Sequence, residues 1–146
     1  MANLFGANYT TQDPVGAGDT TGTVPAAVDV AEWGGRVRVC YDRFTNSSGS
    51  TTGATDVLYL GKIPANATFL YGIVEHDSSG SVQCKVEVGA TEVRANAGVT
   101  VNTATLFGKA QAGLKTTALT DVKVTLANAG IADTKYLSCM IFYTVD

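Results

Sequence analysis

From Arg36 onward the chain alternates apolar and polar residues in short runs, which is the signature of strands with one buried face. Val37, Val39 and Tyr41 alternate with Arg36, Arg38 and Asp42, and a polar loop of Asn, Ser, Gly and Thr follows from Asn46 to Thr55. A second run from Val57 to Ile63 stops at Pro64-Ala65-Asn66. A third from Thr68 to Val74 closes in His76-Asp77-Ser78-Ser79-Gly80, which reads as turn chemistry. In that third run Phe69, Tyr71 and Ile73 are expected opposite Leu70 and Val74. Val82, Cys84, Val86 and Val88 alternate with Gln83, Lys85 and Glu87, and Gly89-Ala90 then turns into Thr91 to Ala95. Val99 to Phe107 is a weaker run. Val122, Val124 and Leu126 alternate with Asp121, Lys123 and Thr125.

The last run, Tyr136 to Val145, is apolar on both faces: Leu137, Cys139, Ile141 and Tyr143 on one, Tyr136, Met140 and Phe142 on the other. Such a strand is either central in a sandwich or covered by a partner. The spacing predicts about eight short strands without crossover helices, hence an all-β antiparallel sandwich, jelly-roll-like, over residues 36–146. Two helical turns are conceivable, Ala26 to Trp33 and Thr105 to Leu114, the second weakened by Gly108 and Gly113.

Residues 1–35 differ. They hold six glycines, two of the three prolines and clustered threonines, and their large apolar residues Leu4, Phe5, Tyr9 and Trp33 are isolated rather than periodic. A segment of this kind cannot bury enough surface to fold alone. It predicts an extended N-terminal arm lying on a neighbouring surface, with Leu4, Phe5, Tyr9 and Trp33 as its partner contacts. Trp33 serves equally well as a cap on the sandwich.

Composition narrows the functions. Of the 146 residues 45% are hydrophobic and only 16% charged, which excludes a wholly disordered chain. The formal net charge of -3 and scattered cations leave no dense basic face for nucleic acid. Arg36, Arg38 and Arg43 come nearest, with Asp42 beside them. No apolar run approaches a membrane span, and the opening MANLFGANYT has neither the basic nor the apolar part of a secretory signal. Neither membrane nor small-molecule substrate is expected as a partner. The three cysteines, Cys40, Cys84 and Cys139, are odd in number, far apart and embedded in strand-like runs, so they read as buried reduced thiols.

Catalytic chemistry is missing. His76 is the one histidine, in Glu75-His76-Asp77. A general base flanked by carboxylates is weakened there because strand neighbours point to opposite faces, and a turn residue is the better reading. Ser47, Ser48 and Ser50 have no histidine nearby, and the glycine run from Gly16 to Gly22 lacks the strand, helix and Gly-Lys-Ser/Thr of a phosphate loop. No catalytic, cofactor-binding or metal residue is assigned and no cofactor is expected.

Four stretches together resemble a known family. They are VRVCYDRF at Val37 to Phe44, DVLYLGKIPANATFLYGIVEHDSSG at Asp56 to Gly80, the glycine-turned VQCKVEVGATEVRA, and the closing YLSCMIFYTVD. They are similar to the small decoration (cement) and minor structural proteins of tailed bacteriophages. The resemblance implies a jelly-roll-like sandwich that binds the major capsid protein on the outer capsid surface, self-associates as a homotrimer, and stabilises the head. It further implies a virion location after synthesis in the host cytoplasm. A receptor- or carbohydrate-binding sandwich of a phage tail or fibre, using exposed aromatics such as Trp33, Tyr41 or Tyr59, is the alternative. A small β-barrel enzyme is disfavoured by the missing acid-base pair.

Overall fold

The computed structural model describes residues 3–5 and 36–145. Nine strands are found among them: β1 (Asn3–Phe5), β2 (Val37–Thr45), β3 (Val57–Ile63), β4 (Ala67–His76), β5 (Gln83–Val88), β6 (Thr91–Gly98), β7 (Thr105–Phe107), β8 (Thr120–Ala127) and β9 (Tyr136–Val145). They form a four-stranded sheet in the order β2-β9-β4-β7 and a five-stranded sheet in the order β1-β3-β8-β5-β6.

The order has a simple origin. β2 pairs with β9, β3 with β8, β4 with β7 and β5 with β6, all antiparallel, so β2 to β5 run out as one arm of a ribbon and β6 to β9 return along it. Rolling that ribbon brings β4 against β9 and β5 against β8. This is the jelly roll. β1 adds to it in parallel on the edge of β3, pairing Leu4 with Leu58.

Alternation builds the core where the sequence shows it. Cys84, Val86 and Val88 from β5, Val122, Val124 and Leu126 from β8, and Leu137, Cys139 and Ile141 from β9 all point inward and are buried. At β3 a register shift between Tyr59 and Lys62 accompanies Gly61 at φ 85, a conformation that glycine adopts at little cost. Leu58, Leu60 and Ile63 are all buried across that bulge.

Four expectations need correction. In β2 it is Cys40 and Asp42 that face the core, while Val37, Val39 and Tyr41 face out. In β4 a register shift between Phe69 and Tyr71 swaps the faces midway: Phe69 is buried, but Tyr71 and Ile73 lie on the opposite side from Val74. The run from Val99 to Phe107 yields only Thr105–Phe107 as strand, because residues 99–104 form a loop folded over His76, with the Asn102 N–H donating to its carbonyl at 2.8 Å. In place of a helical turn from Thr105 to Leu114 there is β7 followed by a single 3-10 turn, Lys109–Gln111, entered through Gly108 at φ 81. The turn assigned to Ala26 to Trp33 lies outside the described residues.

Close packing and side-chain hydrogen bonds fix neighbouring strands within each sheet and the loops beside them. Gly72 on β4 faces the ring of Phe107 on β7, and a Cβ at Gly72 would collide with that ring. Arg94, nearly buried on β6, donates to the carbonyls of Cys84, Ala97 (3.0 Å) and Gly98 (2.9 Å), occupying the acceptors that two register shifts between β5 and β6 leave over. Asn46 ties down the polar loop that follows β2. Its Nδ2 donates to Ser50 and Ile131 carbonyls at 2.6 and 2.8 Å, and its Oδ1 accepts from Ser48.

All three cysteines are reduced thiols and buried, as expected from their runs. Burial pushes the Cys84 thiol up to about 11, with Arg94 pulling weakly the other way, and holds Cys139 well above its ordinary range. Since the folded value of Cys84 lies above the unfolded one near 9, its contribution is complete below pH 9 and disappears as pH climbs toward 11. A rise of that size corresponds to roughly 3 kcal/mol. Urea midpoints should therefore fall steeply between pH 9 and 11, and a thiol reagent at neutral pH should label only unfolded protein. Fast labelling of the native protein would contradict the buried placement.

Candidate interaction surface

The residues with chemical potential are held in structural roles. His76 ends β4 with its side chain fully buried, not exposed in a turn, and its Nε2 lies 2.9 Å from the Val99 carbonyl. The adjacent carboxylates point elsewhere, as strand alternation requires. Glu75 accepts the Tyr136 hydroxyl at 3.2 Å, and Asp77 accepts the Tyr136 N–H at 2.5 Å. Ser48 is bonded to Asn46, and the hydroxyl of Thr116 donates to the Pro64 carbonyl. Among the described residues no three His, Cys, Asp or Glu side chains gather as a metal site. An open depression of about 380 Å³ lies over the loop from Phe44 to Gly53, lined mainly by Ser and Thr. The aromatics considered for glycan binding do not converge: Tyr41 is on β2 and Tyr59 on β3, in opposite sheets, while Trp33 lies outside the described residues.

The two outer faces of the sandwich are chemically unlike. On the five-stranded sheet the outward residues include Lys85 and Glu87 of β5 and Lys123 of β8. Lys85 and Glu87 are ion-paired at 3.1 Å, and Glu87 is cross-strand from Lys123. Val57 and Tyr59 of β3 continue these rows, so this face mixes apolar side chains with paired charges.

The four-stranded sheet turns apolar side chains outward instead. One row runs Val39, Phe142, Tyr71, with the Tyr71 and Phe142 rings stacked at 4.5 Å and 18°. The next runs Tyr41, Met140, Ile73, Leu106 across all four strands. Val37, Val39, Tyr41 and Leu106 are 59, 49, 41 and 47% exposed. These are four of the six most exposed large apolar residues described, and register places them on one surface. The patch ends at a polar border where the Arg43 guanidinium lies 3.7 Å over the Tyr136 ring.

Sequence reasoning found part of this surface. It identified Tyr136, Met140 and Phe142 as a second apolar face on β9, which the structure places outward and half-buried. It missed Val37, Val39 and Tyr41, whose apolar alternation reads like a core face. The signal that separates the cases is Cys40 and Phe44 on the other side of the same strand. Of the four arm residues, Leu4 and Phe5 belong to β1, whereas Tyr9 and Trp33 lie outside the described residues.

No family model matches the sequence, and no curated protein sequence matches it. Solved structures share the fold. A chain from the capsid of Ralstonia phage GP4 matches with a TM-score of 0.66 and 16% identity, over 99% of both chains. A chain from the capsid asymmetric unit of cyanophage Pam1 matches with a TM-score of 0.59 and 19% identity, over 78% of this chain and 88% of that one. At these identities the likeness is one of architecture, and it agrees with the jelly roll traced above.

Isolated surface residues carry little folding energy, so the outward patch separates from the core in stability. Val39→Thr and Leu106→Thr should each shift stability by no more than about 0.5 kcal/mol. Phe69→Ala, in the core, should cost about 3–5 kcal/mol. Chemical denaturation of the three variants checks this. A core-sized loss at Val39 or Leu106 would show that the face is already buried within the monomer.

Proposed function

We propose that this protein is a virion structural protein, a capsid decoration (cement) protein of a tailed phage. It binds the major capsid protein on the outer surface of the head, as a homotrimer, and stabilises the shell. The observation that carries this reading is the apolar outer face of the four-stranded sheet, set against the charged outer face of the other sheet. Contiguous exposed apolar surface of this kind marks a contact site, and the side chains capable of chemistry are engaged in holding the fold. The fold shared with chains from two phage capsids supports the same setting. The sequence resemblance to phage decoration proteins points there as well.

In this reading residues 1–35 are an arm that adds contacts beyond the sandwich, with Leu4, Phe5, Tyr9 and Trp33 as anchors. Large apolar and aromatic residues commonly dominate interface energy. The protein is made in the host cytoplasm and ends on the capsid surface. Its work is contact rather than catalysis.

The physical consequence is linkage. A ligand that binds only the assembled shell stabilises it by RT ln(1 + [L]/Kd), about 2.7 kcal/mol at a hundredfold excess over Kd. Three linked copies raise the effective affinity further when their sites are reached together. Particles lacking the protein should open at lower temperature or milder osmotic shock than complete ones, and purified protein should restore them. Protein without residues 1–34 should fold and bind more weakly. Equal stability of bare and complete particles would contradict the stabilising role and favour receptor or glycan binding.

A further inference from the structure

The rolled ribbon accounts for β2 to β9 but not for β1. Every other strand pair among the described residues is antiparallel, whereas β1 lies parallel to β3, with Asn3, Leu4 and Phe5 opposite Val57, Leu58 and Tyr59. It is also tethered differently. Residues 6–36 separate β1 from β2, while the longest connection inside the ribbon is residues 108–119. Fully extended, the longer stretch reaches at most about 100 Å, more than twice the diameter of a domain this size.

Two consequences follow from that tether. The backbone bonds between β1 and β3 are the same whether donor and acceptor belong to one copy or to two. Pairing within one chain is favoured by effective concentration, which falls roughly as the −3/2 power of tether length. The acceptor, by contrast, is fixed. Leu58, Leu60 and Ile63 of β3 are fully buried, so this strand belongs to the core of its own copy, and β1 is what covers its outer edge.

Symmetry then distinguishes the two arrangements. A ring of three copies requires a heterologous contact, in which one surface meets a different surface on the next copy. A strand and the edge that receives it form such a pair. The β3 edge also lies in the five-stranded sheet, so using it between copies leaves the apolar outer face of the four-stranded sheet to the shell.

We propose that in the homotrimer β1 of each copy is donated to β3 of the next, in the same parallel register, closing a ring of three exchanged strands. Backbone pairing of this kind is strand addition at a sheet edge. Each exchanged strand is three residues long and weak alone, and ring closure makes the three act together. This rests on the homotrimer reading above and supplies the contact that joins its copies.

The test is a bridge at paired positions, Asn3→Cys with Val57→Cys in the full chain. Paired residues on neighbouring strands lie about 5 Å apart, within disulfide range. Cys40, Cys84 and Cys139 are buried and stay out of the reaction. Oxidation of the purified protein should give covalent trimers on a non-reducing gel, at least tenfold in excess over internally bridged monomer. Deleting residues 1–5 should raise the concentration at which trimers dissociate tenfold or more, with the β-sheet circular dichroism unchanged. Trimers whose bridges all lie within single chains, or trimers indifferent to the deletion, would overturn the exchange and leave the homotrimer standing. A protein that is monomeric by light scattering and bridged internally would overturn the exchange and the homotrimer together, without touching the contact role of the apolar face. Absence of any bridge would overturn the β1–β3 register on which the exchange depends.

Discussion

A β-strand has two faces, and a two-layer sandwich buries only one of them. The rest of this structure depends on that constraint. Core formation accounts for the inward set, from Leu58 and Phe69 to Leu126 and Ile141. Nothing in folding requires Val39, Phe142, Tyr71, Met140, Ile73 and Leu106 to be apolar as well. The five-stranded sheet shows the economical solution, with Lys85, Glu87 and Lys123 turned outward. The four-stranded sheet departs from it along whole rows of paired residues. That departure, most extensive on the outer side of this sheet, is the structural basis for assigning a contact role.

The other buried groups fit the same division between scaffold and surface. His76, Arg94, Asn46 and Thr116 are polar residues spent on backbone groups that loops and bulges leave over. The buried thiols behave as small hydrophobes, and burial is the main cause that raises Cys84 and Cys139. Gly72 lets Phe107 close the end of the core. With these roles filled, the described residues present shape and apolar surface to the outside.

Much of the fold was legible in the chain because β5 and β8 obey strict alternation and β9 reads as a central strand. Antiparallel topology followed from short strands and turn residues without intervening helices. What stayed hidden has specific causes. The inward face of β2 holds Cys40 and Asp42, so its more hydrophobic side is the solvent side, and local pattern alone points the wrong way. The bulge in β4 separates Phe69 from Tyr71 and Ile73, and no residue in that run signals it. His76 belongs to the core because residues 99–102 fold over it, a contact 23 residues away in sequence for its Nε2. The full extent of the apolar face therefore emerged from the register of four strands, with Val37, Val39 and Tyr41 of β2 reading like core in the sequence.

Whether the apolar face is the contact face can be seen directly in an image reconstruction of a particle carrying this protein, resolved well enough to orient the sandwich. The four-stranded sheet should lie toward the shell, with Val39, Phe142 and Leu106 covered and the Lys85 and Glu87 face open to solvent. The reverse orientation, or an apolar face left exposed on the bound protein, would contradict the contact role.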